Sequence, residues 1–261
     1  RDVVALVNGT VVRRLFAIVN PVSGKKQGAV LWRNRVRPIL AACPQIVITE
    51  VITTSAREAT ELAANIDLAV CDGIIAVGGD GILYEIISGM LQRPDWKAAV
   101  AKLPLGIVPA GSGNGLALSI LHRAGETWDV ESMAYLIAKG GALPMDLLSM
   151  DSPSVEQAFS FLSTEWALAS DIDITSEKYR CCGSFRFTCR ALELVYCDGC
   201  VRNYSGTLHY LPVEEAGGES KSTAPADVEV GAGKDHGGES TKIDSEVGDR
   251  GGTAVGAGRL I

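Results

Sequence analysis

Strand and helix alternate through the first 140 residues of this chain, which points to an open α/β sheet. Three of the strand-like runs end in turns rich in Gly, Ser and Asn, the places where such a sheet carries its ligands. After Pro144 the pattern becomes strand-rich, so a second, β-rich unit of residues 145–213 follows an α/β unit of residues 1–144.

Each element has its own signal. Leu15-Phe16-Ala17-Ile18-Val19 is a short apolar run that reads as a buried strand. Gln27 to Leu40 is a helix bearing Val30, Leu31, Val36 and Leu40, and Ile46 to Ile52 is the second strand. Ser55-Ala-Arg-Glu58 reads as a capping box that opens a helix with Ala59, Leu62 and Ala63. Ile74-Ile75-Ala76-Val77 is the third strand, and Ile82, Leu83, Ile86, Ile87 and Met90 mark one side of the helix after it. Leu105-Gly106-Ile107-Val108 is the fourth strand, followed by the helical run Leu116 to Leu121. A helix from Trp128 to Ala138 stops at Gly140-Gly141. Beyond it, Met145 to Met150, Ala158 to Leu168 and Gly206 to Leu211 read as strands, with one helix around Arg186 to Tyr196.

The turns carry the chemistry. Gly78-Gly79-Asp80-Gly81 sits between a strand and a helix, where glycines let a phosphate approach the backbone amides of the helix start. An acidic side chain would repel that phosphate, so Asp80 is there either to hold a metal ion or to accept a proton. Pro109-Ala110-Gly111-Ser112-Gly113-Asn114-Gly115 is a second such turn, and Asn20-Pro21-Val22-Ser23-Gly24-Lys25-Lys26 a third. Parallel strands deliver their following loops to one edge of the sheet, so the three turns form one concave site with many backbone donors.

Other classes are excluded by what is missing. The chain has no G-x-x-x-x-G-K-[ST] loop, and no G-x-G-x-x-G after the first strand with an acidic residue after the second. His122, His209 and His236 sit in no catalytic setting. No basic patch interleaved with aromatics appears, so nucleic-acid binding has no support. No run of eighteen apolar residues exists to span a membrane. The chain opens on Arg1, with charges where a signal peptide needs an apolar core, so it reads as a fragment. Five of its seven cysteines (Cys181, Cys182, Cys189, Cys197, Cys200) crowd together, yet no second C-x-x-C or well-spaced His completes a zinc set. They read as reduced thiols of a cytosolic protein, with no metal assigned. Residues 214–261 hold eleven glycines, ten acidic against five basic residues and no aromatic, a composition that reads as disordered. That segment carries most of the chain's net charge of −7, which leaves the remainder nearly neutral.

Together, Asn20-Pro-Val-Ser-Gly-Lys25, Gly78-Gly-Asp-Gly81 and Pro109-Ala-Gly-Ser-Gly-Asn114 resemble the three signatures of the diacylglycerol-kinase catalytic superfamily. Arg93-Pro-Asp-Trp96, Asp171-Ile-Asp173, Ser176-Glu-Lys-Tyr-Arg180, Gly183 and Phe185-Arg-Phe-Thr188 resemble its sphingosine kinase branch. The resemblance runs from about Leu15 to Val213. It implies a Rossmann/phosphofructokinase-like sheet, a β-sandwich-like second domain that this chain leaves incomplete, and an active site between them. It also implies ATP and Mg²⁺ as cofactors, and a sphingoid long-chain base phosphorylated on its primary hydroxyl.

The same resemblance distributes roles. Asn20, Pro21, Val22, Ser23 and Gly24, then Thr53, Thr54, Ser55, Ala56 and Arg57, and Glu85, Gly111, Ser112 and Gly113 would line the ATP site. Arg180 and Arg186 would contact the phosphates, where a planar guanidinium offers two donors to an oxygen pair. Asp80 would take the alcohol proton within a substrate cradle of Gly78, Gly79 and Gly81. Asp173 would pair with the ammonium and hydroxyl of the head group, with Asp171 a weaker candidate behind it. Phe159, Phe161, Leu162 and Trp166 are candidates for the lipid-tail pocket. A cytoplasmic protein at a peripheral membrane surface is implied, and a homodimer stays open. An Asp-Gly-Glu element that closes over the phosphates in this family has no counterpart before Ile261, which again implies an incomplete chain. The alternatives are a diacylglycerol or ceramide kinase, or a non-catalytic nucleotide- or lipid-binding fragment. NAD kinase shares the Gly-Gly-Asp-Gly turn but not the residues expected after it.

Overall fold

The computed structural model describes residues 11–24, 26–152, 155–196, 204, 207–210, 226–229 and 255–260. Its centre is a parallel sheet of β1 (Arg13–Val19), β2 (Ile46–Ile52), β3 (Gly73–Gly78) and β4 (Leu105–Pro109), in the spatial order β2-β1-β3-β4. β3 is buried along its whole length, as an apolar run flanked by helices on both faces should be. Ile18, Ile74, Ile75 and Ile107 are fully enclosed, each contributing roughly 1.5–3 kcal/mol of burial.

Helices cover this sheet. α1 runs Gly28–Leu31, Trp32–Val36 and Arg37–Ala41, with a π-helical middle. Pro38 has no N–H for the carbonyl four residues back, and just before it the Arg37 N–H reaches Trp32 O instead. Trp32 Nε1 donates to Glu50 Oε2 at 2.7 Å, and Arg37 joins the same carboxylate at 3.0 Å, which fixes α1 to β2. α2 (Glu58–Asn65), α3 (Asp80–Leu91), α4 (Trp96–Lys102), α5 (Gly115–Ala124) and α6 (Val130–Lys139) follow. α3 turns Ile82, Leu83, Ile86, Ile87 and Met90 inward, the stripe expected from their spacing. The capping box is half present: Glu58 accepts from the Ser55 and Thr54 amides, at 3.2 and 2.6 Å, but Ser55 caps nothing and α2 starts at Glu58 itself.

At the other end of β1, Arg14 grips Asp72. Arg14 Nε and its backbone N–H donate to Oδ2 at 2.8 and 2.9 Å, and Nη2 to Oδ1 at 2.8 Å. The guanidinium holds the Asp72 carboxyl down at about 2, below its usual value of 3.8. The stabilisation is therefore complete above about pH 4 and disappears as pH falls through about 2. Both groups are partly solvated, at 41% and 28% side-chain exposure, so Asp72→Asn should cost about 1 kcal/mol at neutral pH. Urea denaturation of the two proteins from pH 7 downward should show that gap closing in acid.

Past α6 come β5 (Leu143–Ser152), β6 (Val155–Ser160), α7 (Leu168–Thr175), a 3₁₀ segment (Ser176–Phe185) and α8 (Arg186–Tyr196). The expected strand over 158–168 is a correction: β6 ends at Ser160, whose hydroxyl donates to Ser163 O at 2.9 Å in a turn, and α7 begins at Leu168. Short strands β7 (Thr207–Tyr210) and β8 (Ala226–Glu229) pair antiparallel. β9 (Val255–Leu260) lies between β4 and β5, with Leu260 beside Leu105 on one side and beside Leu143 on the other. The reading of 214–261 as disordered is thus corrected for β8 and β9, whose backbones find ladder partners that composition does not reveal. The rest of that segment, with Cys197 and Cys200, lies outside the described residues. No helix among the described residues is long and apolar enough to cross a membrane.

Candidate active site

The parallel strands end level. Val19 stands beside Ile52 on one side and Val77 on the other, and Gly78 stands beside Pro109. The loops after β1, β2, β3 and β4 therefore leave the sheet at one height. The order β2-β1-β3 reverses direction at β1, and a doubly wound sheet opens its crevice at such a reversal.

Glycine contacts show how tightly the loops meet. A Cβ at Gly24 would lie 2.7 Å from Ala110 O, and one at Gly78 would lie 2.8 Å from Ser23 Oγ. At Gly111 it would lie 2.4 Å from Gly79 Cα, and at Gly79 2.6 Å from Gly113 O. Any side chain at Gly79 or Gly111 would wedge the loops apart. Asn114 braces the last of them, its Oδ1 accepting from Gly111 N–H at 3.0 Å and its Nδ2 donating to Gly111 O at 2.8 Å. Asn20 Oδ1 accepts from Val22 N–H at 3.0 Å, an Asx turn that shapes the first loop.

Asp80 is the first residue of α3, and its carboxylate reaches across to the start of α5. Oδ2 accepts from Gly115 N–H at 2.7 Å and Oδ1 from Leu116 N–H at 3.2 Å, while Asp80 N–H donates to Gly113 O at 3.2 Å. The first amides of α5 are therefore taken by Asp80 rather than open to a ligand. Ser112 and Gly113 amides donate to no described residue and remain available. Each carboxylate oxygen keeps a second lone pair, so Asp80 is aimed but not used up.

The second loop places Thr53 against β1, its N–H donating to Val19 O at 2.9 Å. Thr54 donates its N–H and hydroxyl to Glu58 Oε2, at 2.6 and 2.9 Å. Ala56 is exposed, and Arg57 has φ 66° just before α2. Burial pushes the Glu85 carboxyl on α3 upward, and the charge of Arg57 opposes that rise. The second loop and α3 thus face one another.

The later residues form a separate cluster. Arg186 opens α8 with a side chain only 8% exposed; its Nη1 pairs with Glu177 and its Nη2 stands 3.5 Å from Asp173 Oδ1. Asp171 accepts from the Tyr204 hydroxyl, and Tyr204 meets Trp166 edge-on at 6.1 Å. Arg180 lies in the 3₁₀ segment, with its side chain outside the described residues. Neither Asp173 nor Arg186 has a described hydrogen bond to the three glycine turns. Leu162 does reach them: a Cβ at Gly115 would lie 2.8 Å from Leu162 Cδ2 and 3.6 Å from Asp80 Oδ2. Phe161 packs on the core, and Trp166 is half exposed. Sequence reasoning missed the Asp80–α5 clasp and Glu177 as a partner of Arg186; neither leaves a local signal. A groove of about 510 Å³ lined by Arg14, Phe16, Glu58, Leu62, Asn65 and Val70 runs from the opposite ends of β1 and β3 to the start of α2, and none of the three glycine turns lines it.

Glycine turns meet at a sheet switch point with Asp80 clasped between them, and comparison with known proteins gives this α/β sheet a family. The chain belongs to the diacylglycerol kinase catalytic domain family, whose profile matches residues 14–150. Among its relatives, sphingosine kinase 1 of Arabidopsis thaliana is 38% identical over 201 residues, 77% of this chain and 40% of that protein. Sphingosine kinase 1 of Homo sapiens is 36% identical over 215 residues, 80% of this chain and 55% of that protein. The chain thus spans about half the length of these relatives. A diacylglycerol kinase structure from Bacillus anthracis overlaps 54% of this chain and 46% of its own, at 24% identity and a TM-score of 0.42.

Proposed function

We propose that this chain is the catalytic portion of an ATP-dependent lipid kinase that phosphorylates the primary hydroxyl of a sphingoid long-chain base. The observation that carries the reading is Asp80, held at the meeting point of the glycine turns by Gly115 and Leu116 amides. Relatives named sphingosine kinase over most of this chain support the substrate class.

In this reading Asn20 to Gly24, Thr53 to Arg57, Glu85 and Gly111 to Gly113 hold ATP. The free Ser112 and Gly113 amides, and loops too close to admit a Cβ, fit a phosphate chain lying against backbone. Mg²⁺ would neutralise charge on the phosphates during transfer. Among the described residues no three His, Cys, Asp or Glu side chains cluster as a ready-made site for it. Asp80 accepts the proton of the lipid alcohol, which lies in the cradle of Gly78, Gly79 and Gly81. Arg180 and Arg186 bind phosphate oxygens. Asp173, with a side chain 54% exposed, pairs with the ammonium of the base. Leu162 borders the path to Asp80 and begins the tail pocket. Residues 145–213 are the opening part of a β-sandwich-like lipid-binding domain, and the protein works in the cytoplasm at a membrane surface.

Supplying the full-length protein with labelled ATP·Mg²⁺ and, in turn, sphingosine, diacylglycerol or ceramide tests this. A long-chain-base 1-phosphate is the expected product. Label on diacylglycerol or ceramide alone would overturn the substrate class, and ATP binding without any transfer would overturn the kinase reading.

A further inference from the structure

Arg186 is a buried cation with more donors than partners. Its guanidinium carries five N–H groups, yet Nε is buried with no hydrogen bond to any described residue, and Nη2 meets Asp173 only at 3.5 Å. The ring of Phe187 lies 4.5 Å from its central carbon and holds it in place. Glu177 and Asp173, each with a side chain about half exposed, provide its two carboxylates. A guanidinium in this state is short of anionic oxygen, and Asp173 is engaged by a cation before any ligand arrives.

We propose that the Arg186–Asp173 contact couples head-group binding to nucleotide binding, with Glu177 as the positioning residue that retains Arg186 in both states. This rests on the roles proposed above for Asp173 and Arg186. An ammonium settling on Asp173 competes with Arg186 for its charge, and a phosphate drawing on Arg186 lengthens a contact that is already 3.5 Å. Each ligand alone weakens the same internal pair, and the second finds it already weakened. Binding is therefore positively coupled, and by linkage the two ligands help one another equally. One internal ion pair is exchanged for two, Arg186 with phosphate and Asp173 with ammonium.

The test is binding of a non-hydrolysable ATP analogue with Mg²⁺ to the full-length protein, by calorimetry, with and without a water-soluble short-chain sphingosine. Wild type should bind the analogue about fivefold more tightly when the lipid is present. Without lipid, Asp173→Asn should bind the analogue about fivefold more tightly than wild type, because Arg186 is already released. Adding lipid should give that variant nothing further. Glu165→Gln removes an exposed charge just before α7 that forms no ion pair with Arg186, and should leave the affinity as in wild type. An Asp173→Asn protein whose analogue affinity is unchanged or weaker overturns the coupling and leaves the kinase reading intact. Equal tightening by Glu165→Gln would reduce the effect to net charge and overturn the coupling too. A wild type that binds no analogue overturns the kinase reading and the coupling together.

Discussion

Asp80→Asn lowers turnover of a sphingoid base by about 10²–10⁴-fold, the range that a positioned base supplies. ATP affinity stays close to that of wild type, because the loop amides that receive phosphate are not on Asp80. The same residue has a structural role that the substitution separates. The carboxylate accepts from Gly115 and Leu116 amides and so caps α5 from α3. Removing a cap acceptor costs about 0.5–2 kcal/mol, so Asp80→Ala should lower stability by that amount. Asn keeps one acceptor oxygen and should lose less. Steady-state kinetics with thermal denaturation on both variants gives the expected pattern of similar losses in turnover and unequal losses in stability. Full activity in Asp80→Asn would remove the proton acceptor from the account.

Gly111→Ala should inactivate the protein and destabilise it by about 1–3 kcal/mol, the usual scale of overpacking. Its new methyl would stand 2.4 Å from Gly79 Cα and 2.7 Å from Gly79 N, backbone atoms that cannot swing aside. The two loops would have to part, and with them the spacing between Asp80 and the Ser112 and Gly113 amides. Gly81→Ala is the contrast. Nothing lies within 4 Å of a Cβ there, and the residue is in the first turn of α3, where Ala is favoured over Gly by at most about 0.8–1 kcal/mol, the helix-interior value. Gly81→Ala should therefore raise the melting temperature, and any rise in KM for the lipid alone would assign Gly81 to the substrate cradle. Denaturation midpoints of the two variants, moving in opposite directions, are the readout.

The parallel sheet was legible because its signals are local. Ile46–Ile52 forms over the span its apolar run marks, and β3 and β4 each differ from expectation by a residue or so. Turn chemistry also located the three loops, since glycine clusters at strand ends leave few structural options. What the sequence hid is long-range. Asp80 and Gly115 are 35 positions apart, and nothing near either says that one caps the other. The misread strand over 158–168 has a physical cause as well: Phe159, Phe161, Leu162 and Trp166 supply apolar weight, but Ser160 turns the chain and the apolar side chains divide between core and surface. Arg186 was picked out by resemblance, while its burial between Asp173 and Glu177 depends on a 3₁₀ segment that no simple period announces.

Hydrogen–deuterium exchange of the full-length protein, with and without ATP·Mg²⁺, tests the central claim most directly. Convergence of the loops on one triphosphate predicts joint slowing of exchange in peptides covering 20–24, 53–57 and 111–115, with none at the Arg14 end of the groove near the far ends of the strands. Slowing confined to that groove, or to one of the loops without the other two, would contradict it.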